Sequence, residues 1–153
     1  MPLNYERSVL RIGPPERPGD PEITPAMVEG VRQRIRDAGG TLTVWAVLRE
    51  DLYESKYGDG IYKYVRGIAL NSGDAREIAA LGGDSEFVKW HVKGYRLGLK
   101  DDLPTFLSTS LEDFTINDFV AILSEVPANG TASKLHTGTG YRKDGPFVSL
   151  PEK

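Results

Sequence analysis

The chain contains no cysteine. Disulfides, thiolate nucleophiles and zinc–thiolate centres are therefore excluded together. It contains only two histidines, His91 and His136, far apart in sequence, which leaves no transition-metal ligand set of recognisable spacing. No run approaches the roughly 20 apolar residues that span a bilayer. The first residues, Met1-Pro2-Leu3-Asn4-Tyr5-Glu6-Arg7, lack the layout of a signal peptide. Neither sign of charge is in large excess: 19 basic residues face 22 acidic ones, a net charge of -3. Binding to nucleic acid by phosphate neutralisation is not expected from that balance, although a nucleic acid as a chemical substrate stays open. What remains is 153 residues, 39% hydrophobic and 27% charged. These values suit one soluble globular domain with a single core.

Along the chain, Pro14, Pro15, Pro18 and Pro21 mark residues 1–22 as an irregular leader, with the domain proper over 23–153. A helix follows. Thr24 is a suitable N-cap, Pro25 sits at the first helical position, and Ile23 and Val28 can staple across the cap. Val28, Val31, Ile35 and Ala38 recur at helical spacing until Gly39-Gly40 ends the pattern, while Arg32, Arg34 and Arg36 form a solvated face. Residues 41–57 fit both periods, and their polar tail favours a helix ending near Tyr57-Gly58. Residues 61–70 read as the clearest strand. Tyr62, Tyr64, Arg66, Ile68 and Leu70 would share one face, and Ile61, Lys63, Val65, Gly67 and Ala69 the other.

Further on, residues 74–81 form a short helix before Gly82-Gly83. Val88, Val92, Tyr95 and Leu99 suggest a second helix capped by Asp84, with His91 half-buried on it, although Gly94 and Gly98 weaken the pattern. Residues 105–110 read as a strand after Pro104 and 111–119 as a helical turn. Residues 120–126 read as a buried strand closed by the turn Pro127-Ala128-Asn129-Gly130, and 147–150 as a final short strand or loop. This pattern alone gives a mixed α+β domain.

Two motifs carry chemistry. Tyr64-Val65-Arg66-Gly67 ends in an Arg on a largely apolar strand face. A charge buried there needs an anionic partner, because an isolated buried charge is costly. A surface salt bridge would answer that need, and so would a phosphate held bidentately by the planar guanidinium. Gly67 would let a backbone approach a ligand closely. Phe106-Leu107-Ser108-Thr109-Ser110 is an apolar run that ends in three hydroxyls. It reads either as a strand terminus or helix cap, or as a polar pocket wall.

An Arg, a Ser-Thr-Ser and a C-terminal Glu152, in that order, resemble the bacterial mono-ADP-ribosyltransferases of the arginine–serine–glutamate class. The likeness spans residues 24–152, and Glu125-Val126-Pro127-Ala128-Asn129-Gly130 resembles the strand and turn before that family's recognition loop. It implies an ADP-ribosyltransferase-like fold, two small packed β-sheets with flanking helices. It also implies NAD as substrate, with no metal. In this carry-over Arg66 and Gly67 meet the NAD phosphates, and Ser108, Thr109 and Ser110 shape the nicotinamide pocket. Glu152 is the catalytic carboxylate, stabilising an oxocarbenium-like state as in glycoside cleavage. Tyr141 and Phe147 lie on the target-recognition loop, with core packing the alternative for Phe147.

The chain departs from the pattern at its end. The family reads Glu-x-Glu or Gln-x-Glu, and here Leu150-Pro151-Glu152 is followed only by Lys153. Either Leu150 replaces the upstream acid or amide, which would favour NAD hydrolysis over transfer, or Glu152 is the first member of a motif cut short. The resemblance implies a secreted or injected effector acting in the cytoplasm of a target cell, with no membrane insertion. A protein acceptor is expected rather than a nucleic acid, with a cognate immunity protein in the producer. An NAD glycohydrolase on the same scaffold and a non-catalytic binding module are the alternatives. Other patterns fail. Gly138-Thr139-Gly140 lacks the third glycine of a dinucleotide fingerprint. His91-Val92-Lys93 and His136-Thr137-Gly138 lack the His-x-Thr or His-x-Ser pair of two-histidine phosphodiesterases, and the latter has the wrong order for the His-Gly-Thr of poly-ADP-ribosyltransferases.

Overall fold

The structure is a computed structural model that describes residues 10–15, 21–53, 56, 58, 60–107 and 115–136. Helix α1 (Pro25–Asp37) begins as its sequence dictates: Met27 N–H donates to the Thr24 side chain at 3.2 Å, and Val28, Val31 and Ile35 are buried. Gly39 and Gly40 take φ of 89° and 101° just beyond its end, the left-handed region that glycine occupies without steric cost.

Four antiparallel strands follow: β1 (Leu42–Tyr53), β2 (Gly60–Ala69), β3 (Val88–Lys100) and β4 (Leu103–Phe106), in the spatial order β2-β1-β3-β4. Helix α2 (Ser72–Gly82) lies between β2 and β3 in sequence, and α3 (Ile116–Leu123) follows β4. Among the described residues there is one sheet and three helices, and none of the helices is long and apolar enough to cross a membrane. The α+β class is therefore observed.

The two faces of the sheet differ. On one, α1 and α3 bury Val44, Ala46, Leu48, Val65, Ile68, Tyr95 and Leu97. Tyr95, Phe106 and Phe119 meet there, with Phe119 edge-on to each of the others at 4.9 and 5.0 Å between ring centroids. On the other face, α2 covers a smaller cluster of Val47, Ala69, Ala75, Ile78 and Leu135, flanked by Trp45 and Trp90. The segment before α1 is irregular but docked: Leu10 is in the larger core, and Gly13 and Ile23 exchange backbone bonds of 2.8 and 3.2 Å.

Three expectations from the sequence are corrected. Residues 42–53 are strand, because each side of β1 is claimed by a neighbouring strand and its alternating side chains feed both cores. Residues 88–100 are also strand. Val92 packs toward α2 and Tyr95 and Leu97 toward α1 and α3, so burial passes from one face to the other and mimics a helical period. Residues 120–126 contain the end of α3 rather than a strand. Thr115 and Asp118 form a capping box, with Thr115 N–H donating to the Asp118 carboxylate at 2.9 Å, and this sets the helix start.

The arginine face of α1 is solvated only in part. Arg34 donates to the carbonyls of Val126 and Pro127 at 2.8 and 2.9 Å, just past the end of α3. Arg32 and Arg36 hold Asp102, whose φ of 66° and that of Asp101, 54°, make the two-residue β3–β4 turn.

Candidate functional site

β2 does not alternate cleanly. Val47 pairs with Gly67 but Leu48 pairs with Val65, so Arg66 is an extra residue in a β-bulge. The bulge reverses the side-chain phase. Val65 joins Ile68 in the core under α1 and α3, with Leu70 packed against it, instead of sharing a face with Gly67 and Ala69. Tyr64 and Arg66 do stay together, as the sequence pattern predicts: the guanidinium carbon of Arg66 lies 4.7 Å from the Tyr64 ring centroid.

Arg66 is 0% exposed, the largest fully buried side chain among the described residues. Beside it, Gly67 is packed by the protein itself: a Cβ there would meet Ile78, Val47 and the Lys134 carbonyl, each at 3.5 Å. A methyl group would fit at those distances, so packing alone does not require glycine at this position.

Those residues run along the outer edge of β2. Leu70 N–H donates to Thr131 at 2.8 Å, Ser133 N–H to Ile68 at 2.9 Å, and His136 N–H to the Arg66 carbonyl at 2.9 Å. The buried Ser133 hydroxyl accepts from Ile68 N–H at 3.0 Å. His136, 7% exposed, places Nε2 2.7 Å from the Glu125 carboxylate. At the far end of the edge, the Thr131 hydroxyl and the Asn71 amide, in that order of effect, hold the Asp74 carboxyl below its ordinary value. Edge segment, bulge and the start of α2 thus form one hydrogen-bonded unit.

Across the sheet from Tyr64 lies Arg49, and beyond Arg49 lies Trp90. Arg49 sits 6.0 Å from the Trp90 centroid and bonds Asp51 at 2.6 Å. The row Trp90–Arg49–Tyr64–Arg66 alternates rings and guanidinium groups across three strands. Trp90 is fixed from behind by an Nε1–H bond of 2.9 Å to the Gly83 carbonyl and by contact with Gly82.

Of the residues singled out from the sequence, Arg66 and Gly67 lie together at the bulge. Ser108, Thr109, Ser110, Tyr141, Phe147 and Glu152 lie outside the described residues. β4, which leads into Ser108, is separated from β2 by β1 and β3. At about 4.8 Å per strand spacing, that is roughly 14 Å across the sheet. A ligand touching both Arg66 and the end of β4 would have to be elongated. His91 is corrected from a half-buried helical position to an exposed one on β3, where it meets Glu50 at 2.6 Å. His136 and Glu125 were not legible as a pair, because they lie eleven positions apart and are brought together by the return of the chain along the edge of β2. Among the described residues no group of three or more His, Asp or Glu side chains gathers as a metal site would. Comparison with family models, with curated proteins and with solved structures gave no match.

Proposed function

We propose that this chain is an NAD-cleaving domain of the mono-ADP-ribosyltransferase kind, with the two-sheet fold of that class. One observation carries the reading: a fully buried arginine inserted as the extra residue of a bulge. Burying a guanidinium is costly, and bulges that re-aim a side chain concentrate beside active sites. An arginine so held suits bidentate capture of a pyrophosphate. Being fully buried, it meets phosphate only when the groups covering it move aside.

In the reaction, the bond between ribose C1′ and the nicotinamide nitrogen breaks, and its electron pair leaves with nicotinamide. An acceptor nucleophile then bonds C1′ and loses its proton. Glu152 stabilises the positive charge on the ribose, and Ser108, Thr109 and Ser110 shape the pocket. The acceptor is a protein in a recipient cell, met by the loop carrying Tyr141 and Phe147. As an effector acting there, the chain calls for an immunity partner in its producer. Leu150, where the family has an acid or amide, favours a second reading in which water is the acceptor.

Nicotinamide release from NAD tests this, with Arg66→Lys and Glu152→Ala alongside and thermal unfolding as a control. Arg66→Lys keeps the charge but loses the planar fork. Release that both substitutions abolish, in folded proteins, supports the reading; release only in the presence of a protein acceptor separates transfer from hydrolysis. No release and no NAD binding by the unaltered chain would leave a non-catalytic module in which Arg66 serves packing alone.

A further inference from the structure

The α2 face of β2 carries a feature that the proposed reaction does not use. Tyr62 and Tyr64 follow each other on that face with ring centroids 6.4 Å apart and planes inclined by 33°. Stacked bases repeat at about 3.4 Å, so two stacking layers span about 6.8 Å. Tyr64 is backed by the Arg66 guanidinium at 4.7 Å, while Tyr62 is 50% exposed. The cross-strand partners of the two tyrosines are Arg49 for Tyr64 and Asp51 for Tyr62, and Arg49 and Asp51 are bonded to each other at 2.6 Å.

We infer that Tyr62 and Tyr64 form a clamp for the base of a purine nucleotide. The ring enters between them from the exposed Tyr62 side. Arg49 and Asp51 flank it from β1 as a donor and an acceptor for the edge of the base. A mononucleotide fits better than a polymer, because the net charge of -3 gives no basic track for a phosphate chain. The clamp extends the proposed reaction by locating the adenine of NAD, and only that assignment rests on the reaction; the clamp itself is argued from β1 and β2.

The test is AMP binding to the full chain by calorimetry, with inorganic phosphate and UMP as comparison ligands and Tyr62→Leu as the variant. Tyr62 is half-exposed, so its replacement should leave the thermal midpoint unchanged. The clamp predicts that AMP binds more tightly than UMP or phosphate, and that Tyr62→Leu weakens AMP about tenfold, the loss of one base–aromatic stack. It also predicts an upfield shift of the adenine protons of AMP on binding that the variant abolishes. Equal AMP affinity in the variant, no AMP binding by the unaltered chain, or preference for an adenine oligonucleotide over AMP would overturn it. Nicotinamide release without AMP binding would sink the clamp and spare the reaction; Tyr62-dependent AMP binding without release would do the reverse.

Discussion

The two faces of the sheet are built from different materials. Under α1 and α3 lie aliphatic side chains and three packed aromatic rings in one continuous core. Under and beside α2 lie five small or medium apolar residues, then tryptophans, tyrosines and guanidinium groups in a row. The first face does what a core does, which is to remove apolar area from water. The second gives up part of that gain to hold a buried arginine and a polar edge segment. On the proposed reading, stability and binding fall on opposite sides of the same strands, with the bulge at Arg66 as the place where the side-chain phase shifts.

Breaking the first face should have the largest effect. Phe119→Ala removes the ring that meets both Tyr95 and Phe106 and should cost about 3–5 kcal/mol in chemical denaturation. Any AMP or NAD binding should survive in the fraction that remains folded. Next is Gly82→Ala, whose new methyl group would overlap the Trp90 ring. Overpacking there should cost about 1–3 kcal/mol. Because the displaced ring lies against Arg49, this change should also disturb the α2 face, visible as a shift in tryptophan fluorescence.

Smaller effects sharpen the contrast. Thr24→Ala removes the α1 cap and should cost about 1 kcal/mol without altering ligand binding. Asp74→Asn acts through pH. The folded-state carboxyl titrates below its ordinary value, so its contribution is present above the unfolded-state pKa and is lost as pH falls through the folded one. Acid titration of stability should therefore lose part of its slope below about pH 4 in the variant, and the two proteins should converge at the acid end.

The sequence disclosed this molecule unevenly, for physical reasons. α1 was legible because cap, staple, apolar spacing and terminal glycines all agreed, and each is a local interaction. α2 and β2 were legible on similar grounds. β1 and β3 were not, since β1 is buried on both faces and so carries a helical pattern beside its two-residue period, and β3 is buried on each face in turn. The glycines of β3 were a signal of the strand: Gly94 makes room for the Trp45 ring and Gly98 for Leu107, close approaches of a kind that glycines in strands often mark. At the candidate site, Arg66 stood out as a charge among apolar neighbours. Its bulge did not, because a bulge is a property of the pairing between two strands. For the same reason the row of Arg49 and Trp90 beside Tyr64 appeared only once register was known.

Hydrogen exchange of the full chain with and without NAD measures the central contrast most directly. The account predicts slower exchange with NAD at β2 residues 62–67, at residues 131–136 and in α2, with α1 and α3 unchanged. Protection confined to α1 and α3, or no protection by saturating NAD, would contradict the assignment of binding to the α2 face.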